Sequence, residues 1–285
     1  MPETTPLTKE RLIGGLIAAG VGIVLVAVLI IISVMWQTPK PEAEVFTTEP
    51  TVESEETAPA PTLPANPYGP MDFDMSGEYA TCLAGVSVLG IDVSAYQKDI
   101  DWEQVRQAGI EFVMIRLGYR GSEQGLLLED SQAQLHYAGA KAAGLRVGAY
   151  FFSQSISEEE AREEARYAMA LMRDWELDMP LVYDWEYISA DSRTGDMDAR
   201  RLTNCIRAFC ETAEAAGVEA MVYFNPYMAR NMVYLEELTD YPFWLAHYNS
   251  EMTFPYKVDM WQYTCTGNVP GIQGDVDINL YLLYE

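Results

Sequence analysis

Eight short apolar runs, each closing on a polar or acidic residue, limit the folds open to this chain more than any other feature. They occupy residues 88–93, 112–118, 146–152, 180–186, 220–224, 243–248, 258–263 and 276–279. Near-continuous apolar runs suit strands covered on both faces, as in a parallel sheet. Helices are signalled between the early runs. Asp101 is placed to cap a short helix that stops at Gly109, and a second is expected over about 130–143, ended by Gly144. Ser157-x-x-Glu160 is a capping box that opens a third, to about residue 175. A fourth is expected over about 198–216 and a fifth over about 226–235. After residue 243 the gaps 249–257 and 264–275 are too short for a helix with its turns, though long enough for a crossover. Eight strands with about five helices, missing toward the end, predict an irregular (β/α) barrel of the α/β class. The competing layout is an open doubly wound sheet, but no Gly-rich phosphate loop follows the first strand.

The first third of the chain is different in kind. Residues 12–36 carry no charge and consist mainly of Ile, Leu, Val, Ala and Gly; about 20 apolar residues suffice to span a bilayer as a helix. The run exceeds the roughly 7–15 apolar residues of a cleaved signal peptide. No small-x-small site follows it before Gln37-Thr38-Pro39. It is therefore read as an uncleaved transmembrane signal anchor. Lys9 and Arg11 precede it and acidic residues dominate beyond Lys40. That asymmetry puts residues 1–11 in the cytoplasm and the rest of the protein outside the cell membrane. Residues 37–80, rich in Pro, Thr, Glu and Ala, read as a disordered spacer. Residues 81–285 remain as the folded domain, long enough for a sizeable core.

Forty-three acidic residues against 18 basic ones give a formal charge of −25, which argues against nucleic acid as a partner. It suits solubility outside the cell. The four cysteines form no CxxC pair, so no zinc site is expected. Cys82 and Cys265 flank the first and seventh strands, where a closed barrel can bring them near, and a disulfide is compatible with export. His136 and His247 lack a Ser or Cys partner in any recognisable motif, so triad chemistry is unsupported.

In barrels of this kind the reacting groups sit at the C-terminal ends of the strands. Asp92 ends the first run, Asp184 and Glu186 the fourth, and Asp277 belongs to the eighth. Side chains alternate along a strand, so Asp184 and Glu186 point to one side and crowd each other. One of two crowded carboxylates tends to keep its proton near neutral pH while the other ionises. Glycosidic bond cleavage requires that division. If the barrel closes, Asp92 and Asp277 face each other on neighbouring strands. Among the aromatics near strand ends, Tyr150, Trp244, Tyr248 and Trp261 are chosen as a groove on which sugar rings stack.

Three ordered motifs carry a family resemblance. Gly90-Ile91-Asp92-Val93-Ser94-x-Tyr96-Gln97-x-x-Ile100-Asp101-Trp102, Asp184-Trp185-Glu186, and Trp261-Gln262-Tyr263 with Gly271-Ile272 and Val276-Asp277-Ile278-Asn279 resemble glycoside hydrolase family 25. These are Chalaropsis-type lysozymes, N-acetylmuramidases with a β/α barrel; the resemblance covers about residues 88–285. It implies Glu186 as general acid/base and Asp184 as the acid that orients the substrate's N-acetyl group. Asp92 and Asp277 match the two remaining acids of the pocket. It further implies retaining, substrate-assisted cleavage of the β-1,4 bond between N-acetylmuramic acid and N-acetylglucosamine. The partner would be peptidoglycan glycan strands, with no cofactor or metal. Tyr150-Phe151-Phe152 stands where Tyr-His-Phe is expected, and His247 where relatives often have Gln. The whole predicts a membrane-anchored, extracellular muramidase with a monomeric catalytic domain. The rivals are a catalytically silent wall-binding module and a chitinase-like or N-acetylhexosaminidase activity.

Overall fold

A computed structural model describes residues 62–284; the expected anchor at 12–36 and most of the spacer lie outside them. Eight strands form the barrel: β1 (Val86–Val93), β2 (Phe112–Arg120), β3 (Arg146–Ser153), β4 (Leu181–Trp185), β5 (Ala220–Phe224), β6 (Phe243–Ala246), β7 (Met260–Gly267) and β8 (Val276–Leu283). They pair in the order β1-β8-β7-β6-β5-β4-β3-β2, and β2 pairs back to β1, so the barrel closes. A short strand, Leu127–Glu129, adds to the edge of β2. Five α-helices cover the outside: α1 (Trp102–Gln107), α2 (Ala133–Ala142), α3 (Glu158–Leu171), α4 (Ala199–Ala215) and α5 (Pro226–Asn231). Their starts are set as the sequence suggests. Asp101, Ser157, Asp198 and Asn225 each accept a backbone N–H of the first turn through the side chain. Among the described residues no helix is long and apolar enough to cross a membrane.

Period-two alternation divides the strand residues between two cores. Val88, Phe112, Met114, Val182, Met221, Trp244 and Met260 fill the barrel. Ile91, Val113, Leu181, Tyr183, Leu245, Trp261 and Ile278 face the outer layer. Gly90 belongs to the inward set, and a Cβ there would meet the Phe112 ring at 2.3 Å. The smallest residue is therefore what lets β2 place a phenyl ring across β1.

Two features depart from the expected organisation. The strands from β1 to β7 run parallel, but β8 is antiparallel to both neighbours. The seventh run continues past Tyr263 to Gly267, which leaves only residues 268–275 before β8. A parallel crossover needs about a dozen residues or more, so this short connection returns the chain directly. Its turn is tight: Gly271 has φ +95°, its carbonyl accepts Asp101 N–H at 2.9 Å, and a Cβ would meet Asp101 O at 2.3 Å.

The second departure concerns residues 62–80, assigned above to the spacer. They pack on the barrel. Ala65 bridges to Tyr256, Asn66 Nδ2 donates to Phe254 O at 3.0 Å, and Phe73–Asp74 pairs with Thr81–Cys82. Tyr68 stacks on Tyr284, and Phe73 meets Trp261 edge-on at 5.0 Å between centroids. Two aromatic anchors hold a segment whose average composition reads as extended. All four cysteines are free; Cys82 is buried and Cys265 exposed, so the contemplated bridge is not formed.

Candidate active site

Because β8 runs against its neighbours, its first residues lie on the rim where the other strands end. Asp277 is thereby the register partner of Asp92 on β1. Asp184 is the inward residue near the end of β4, and Glu186 follows one residue beyond the strand. The structure brings all four acids to one pocket of about 520 Å³. Tyr150, Trp244 and Tyr248 line it too. Trp261 does not. Met260 pairs with Trp244 and Gln262 with Ala246, so Met260 and Gln262 take the inward positions of β7 and Trp261 faces out. Its ring is fully buried and packs against Phe73, and its N–H donates to His247 O at 2.9 Å.

Asp92 is the most firmly held of the acids. Its Oδ2 accepts Gln262 Nε2 at 2.7 Å and Asn279 Nδ2 at 2.9 Å. Both amides are themselves oriented. Gln262 Oε1 accepts the hydroxyls of Tyr223 (3.0 Å) and Tyr248 (2.8 Å), and Asn279 Oδ1 accepts Trp244 Nε1 at 2.8 Å. Donors aimed at a carboxylate favour its charged form. Burial still pushes Asp92 up to about 6, with the two amide bonds pulling against that rise. In the sequence Gln262 and Asn279 stand only as members of the family motifs, with no role of their own, and Tyr223 is not one of the four aromatics chosen for the groove. Their inward parity on β7, β8 and β5 is the signal that would have found them.

Glu186 is pushed up to about 7, first by burial and then by the charge of Asp92. Asp277 reaches about 8 through burial and the repulsion of Asp92 and Glu186. Asp184 lies well above the ordinary carboxylate range, mainly by burial and then by Glu186 and Asp92, with Arg116 opposing. Its Oδ1 is buried and makes no hydrogen bond to the described residues. Near neutral pH the site thus holds a proton donor, Glu186, beside Asp184, a second carboxyl with a raised proton affinity and one buried oxygen that no described residue bonds. The backbone of Glu186 is braced as well. Gln154 Nε2 donates to Glu186 O at 2.9 Å, and Gln154 Oε1 accepts Thr194 Oγ1 at 2.7 Å. Arg193 donates to Gln154 O at 2.6 Å and forms a two-pronged pair with Glu160. The loop after β4 is therefore latched to the end of β3. Among the described residues no group of three or more His, Cys, Asp or Glu is arranged to hold a metal ion.

This geometry has relatives. Lysozyme M1 of Streptomyces globisporus is 28% identical over 204 residues, covering 68% of this chain and 67% of that protein. The uncharacterized protein YegX of Escherichia coli K12 is 26% identical over 205 residues, covering 70% and 71% respectively. Among solved structures, the bacterial lysozyme from Streptomyces coelicolor superposes with a TM-score of 0.53 at 25% identity, over 70% of this chain and 92% of that one. The autolysin LytC from Streptococcus pneumoniae gives a TM-score of 0.60 at 24% identity, but this chain spans only 46% of its length. The model of glycosyl hydrolases family 25 matches residues 91–272, from the β1 acid motif to the turn before β8. With well over half of its length inside that match, the chain belongs to glycosyl hydrolases family 25.

Proposed function

We propose that this protein is a lysozyme that hydrolyses the β-1,4 bond between N-acetylmuramic acid and N-acetylglucosamine in peptidoglycan, with retention and with assistance from the substrate's own acetamido group. The observation that carries this reading is the pair on one strand end. Asp184 offers a buried oxygen without a partner among the described residues, and two residues on Glu186 is held near its protonated form. In the first step Glu186 gives its proton to the departing glycosidic oxygen. The acetamido carbonyl oxygen attacks the anomeric carbon from the opposite face, while Asp184 accepts the amide N–H, a bond that favours its ionised form, and as a carboxylate stabilises the cyclic cation. In the second step Glu186, now a carboxylate, takes a proton from water as that water opens the ring at the anomeric carbon. Two inversions give net retention. A close carboxyl pair suits this route, because the nucleophile belongs to the substrate and the usual carboxylate separation does not apply. Tyr150, Trp244 and Tyr248 would form the apolar part of the sugar groove.

The uncharged run 12–36 is proposed to anchor the enzyme in the cell membrane, with the barrel outside as a monomeric catalytic domain. The test is digestion of purified peptidoglycan by the full-length chain and by Glu186→Gln, with products read by mass spectrometry. New reducing ends at muramic acid, lost in the variant, are expected. Reducing ends at glucosamine would make it a glucosaminidase. Binding without cleavage across several wall types would make it a silent wall-binding module.

A further inference from the structure

The chemistry above leaves the pocket's positive charge without a task. Arg116 is the one cation among the described residues that line it. It takes the inward position after Phe112 and Met114 on β2, and its register partner on β3 is Tyr150. Tyr150 in turn pairs with Val182, two residues before Asp184 on the same face of β4. The side chain is held on several sides. Arg116 Nε donates to Asp130 Oδ2 at 2.8 Å. Asp130 is buried and fixed by the N–H groups of Ala95 (3.0 Å) and Gln132 (2.9 Å). The guanidinium carbon sits 5.3 Å from the centre of the Tyr96 ring and 5.4 Å from that of Tyr119. Only 16% of the side chain is exposed. Its terminal nitrogens, Nη1 and Nη2, hydrogen-bond none of the described residues. A guanidinium immobilised with its N–H fork unfilled is a receptor for a planar carboxylate.

We propose that Arg116 is a specificity-determining residue that binds the free carboxylate of the 3-O-lactyl group on the muramic acid being cleaved, so that the preferred substrate is a glycan strand already stripped of its peptide. The inference rests on the muramidase reading. There Asp184 holds the acetamido group on C2, and the lactyl ether occupies the adjacent carbon, C3, on the sugar that Arg116 flanks. With a peptide attached, the lactyl group is a neutral amide and gives the fork only one oxygen. N-acetylglucosamine has a hydroxyl there. Strands with a free lactyl carboxylate arise by hydrolysis of the lactyl–peptide amide, which releases the peptide amine. An amidase-class reaction would therefore supply this substrate.

The experiment measures kcat and KM of the full-length chain on three oligosaccharides of one length and alternating sequence. The first carries free lactyl carboxylates, the second lactyl methylamides, and the third lactyl groups joined to a peptide with its own carboxylates. A hydrogen bond to a charged group is worth roughly tenfold or more in affinity, so the wild type should favour the first over the second by about that factor, mainly in KM. Arg116→Met should bring that ratio close to one, and Arg116→Lys should retain part of it. The ratio cancels any effect of Arg116 on the acids, which acts on both substrates alike. A wild-type ratio near one overturns the proposal without needing any variant to fold. So does an equal loss on both substrates in either variant. Cleavage of the peptide-bearing substrate as readily as the free acid would move the recognised anion to the peptide and also overturn it. New reducing ends at glucosamine would be a separate failure, of the muramidase reading, and would take the lactyl assignment with it.

Discussion

Replacing Glu186 by Gln should make the protein more stable under the same conditions in which, on the proposed mechanism, it is expected to abolish catalysis. The ordinary value for this carboxyl is 4.5, and in the fold it rises to about 7. In the window between those values the unfolded chain has released its proton while the folded chain still holds it. Stability therefore falls as pH rises from about 4.5 to about 7, and stays lowered above that. At about 1.36 kcal/mol per pH unit, the interval between the two values costs about 3 kcal/mol at pH 8 and nothing at pH 4. Gln carries no such cost. The Glu186 carboxyl also hydrogen-bonds none of the described residues, its one bond being through the backbone carbonyl, so the change removes no bond. Urea unfolding of both proteins at pH 4 and pH 8 reads the difference directly. Glu186→Gln should be about 3 kcal/mol more stable at pH 8 and equal at pH 4. For a domain of this size that corresponds to roughly 6–12 °C in melting temperature. A gap that is the same at both pH values, or missing at pH 8, would refute the claim that burial and Asp92 hold this proton in place.

Three further outcomes are expected. Asp184→Asn should lower kcat by about a hundredfold or more with little change in KM, since an amide cannot offset charge at the acetamido group; steady-state kinetics on peptidoglycan fragments decides it. Trp261→Phe removes the N–H bond to His247 O together with part of a fully buried ring packed on Phe73. It should cost about 2–4 kcal/mol of stability and leave KM unchanged, whereas a large rise in KM would return this ring to the sugar groove. Gln154→Leu unties the Glu186 carbonyl and leaves the Thr194 hydroxyl without its acceptor. It should cost about 1–3 kcal/mol and lower kcat more than it raises KM, as judged by melting and kinetics together.

Barrel, helices and the four rim acids are legible in the sequence because each rests on local rules. Strand parity puts Asp184 and Glu186 on one side, and side-chain caps mark the helix starts. What escaped depends on partners far along the chain. Trp261 looks like Trp244 in isolation, and only the pairing of β6 with β7 shows that they face opposite ways. Gln262 and Asn279 belong to the family motifs, but what they do is visible only when their amides meet Asp92, in the case of Asn279 from 187 positions away. Arg116 reads as a lone charge in an apolar run, and its surroundings come from three other segments. The reversal of β8 escaped for a different reason: the strand before it is longer than its apolar run, which shortens the connection.

That reversed strand also sets when the enzyme can come into being. β8 is the last of the eight to be synthesised, yet it is the one that closes the ring between β7 and β1. Until it docks, β1 and β7 both present open edges, Asp92 lacks one of its two amide donors, and Asp277 is not at the rim. Such a distant pairing forms late and slowly compared with local contacts. A growing chain therefore carries Asp184 and Glu186 through roughly the last third of its synthesis without an assembled site around them. The carboxyl cluster is complete only once that last strand has closed the barrel.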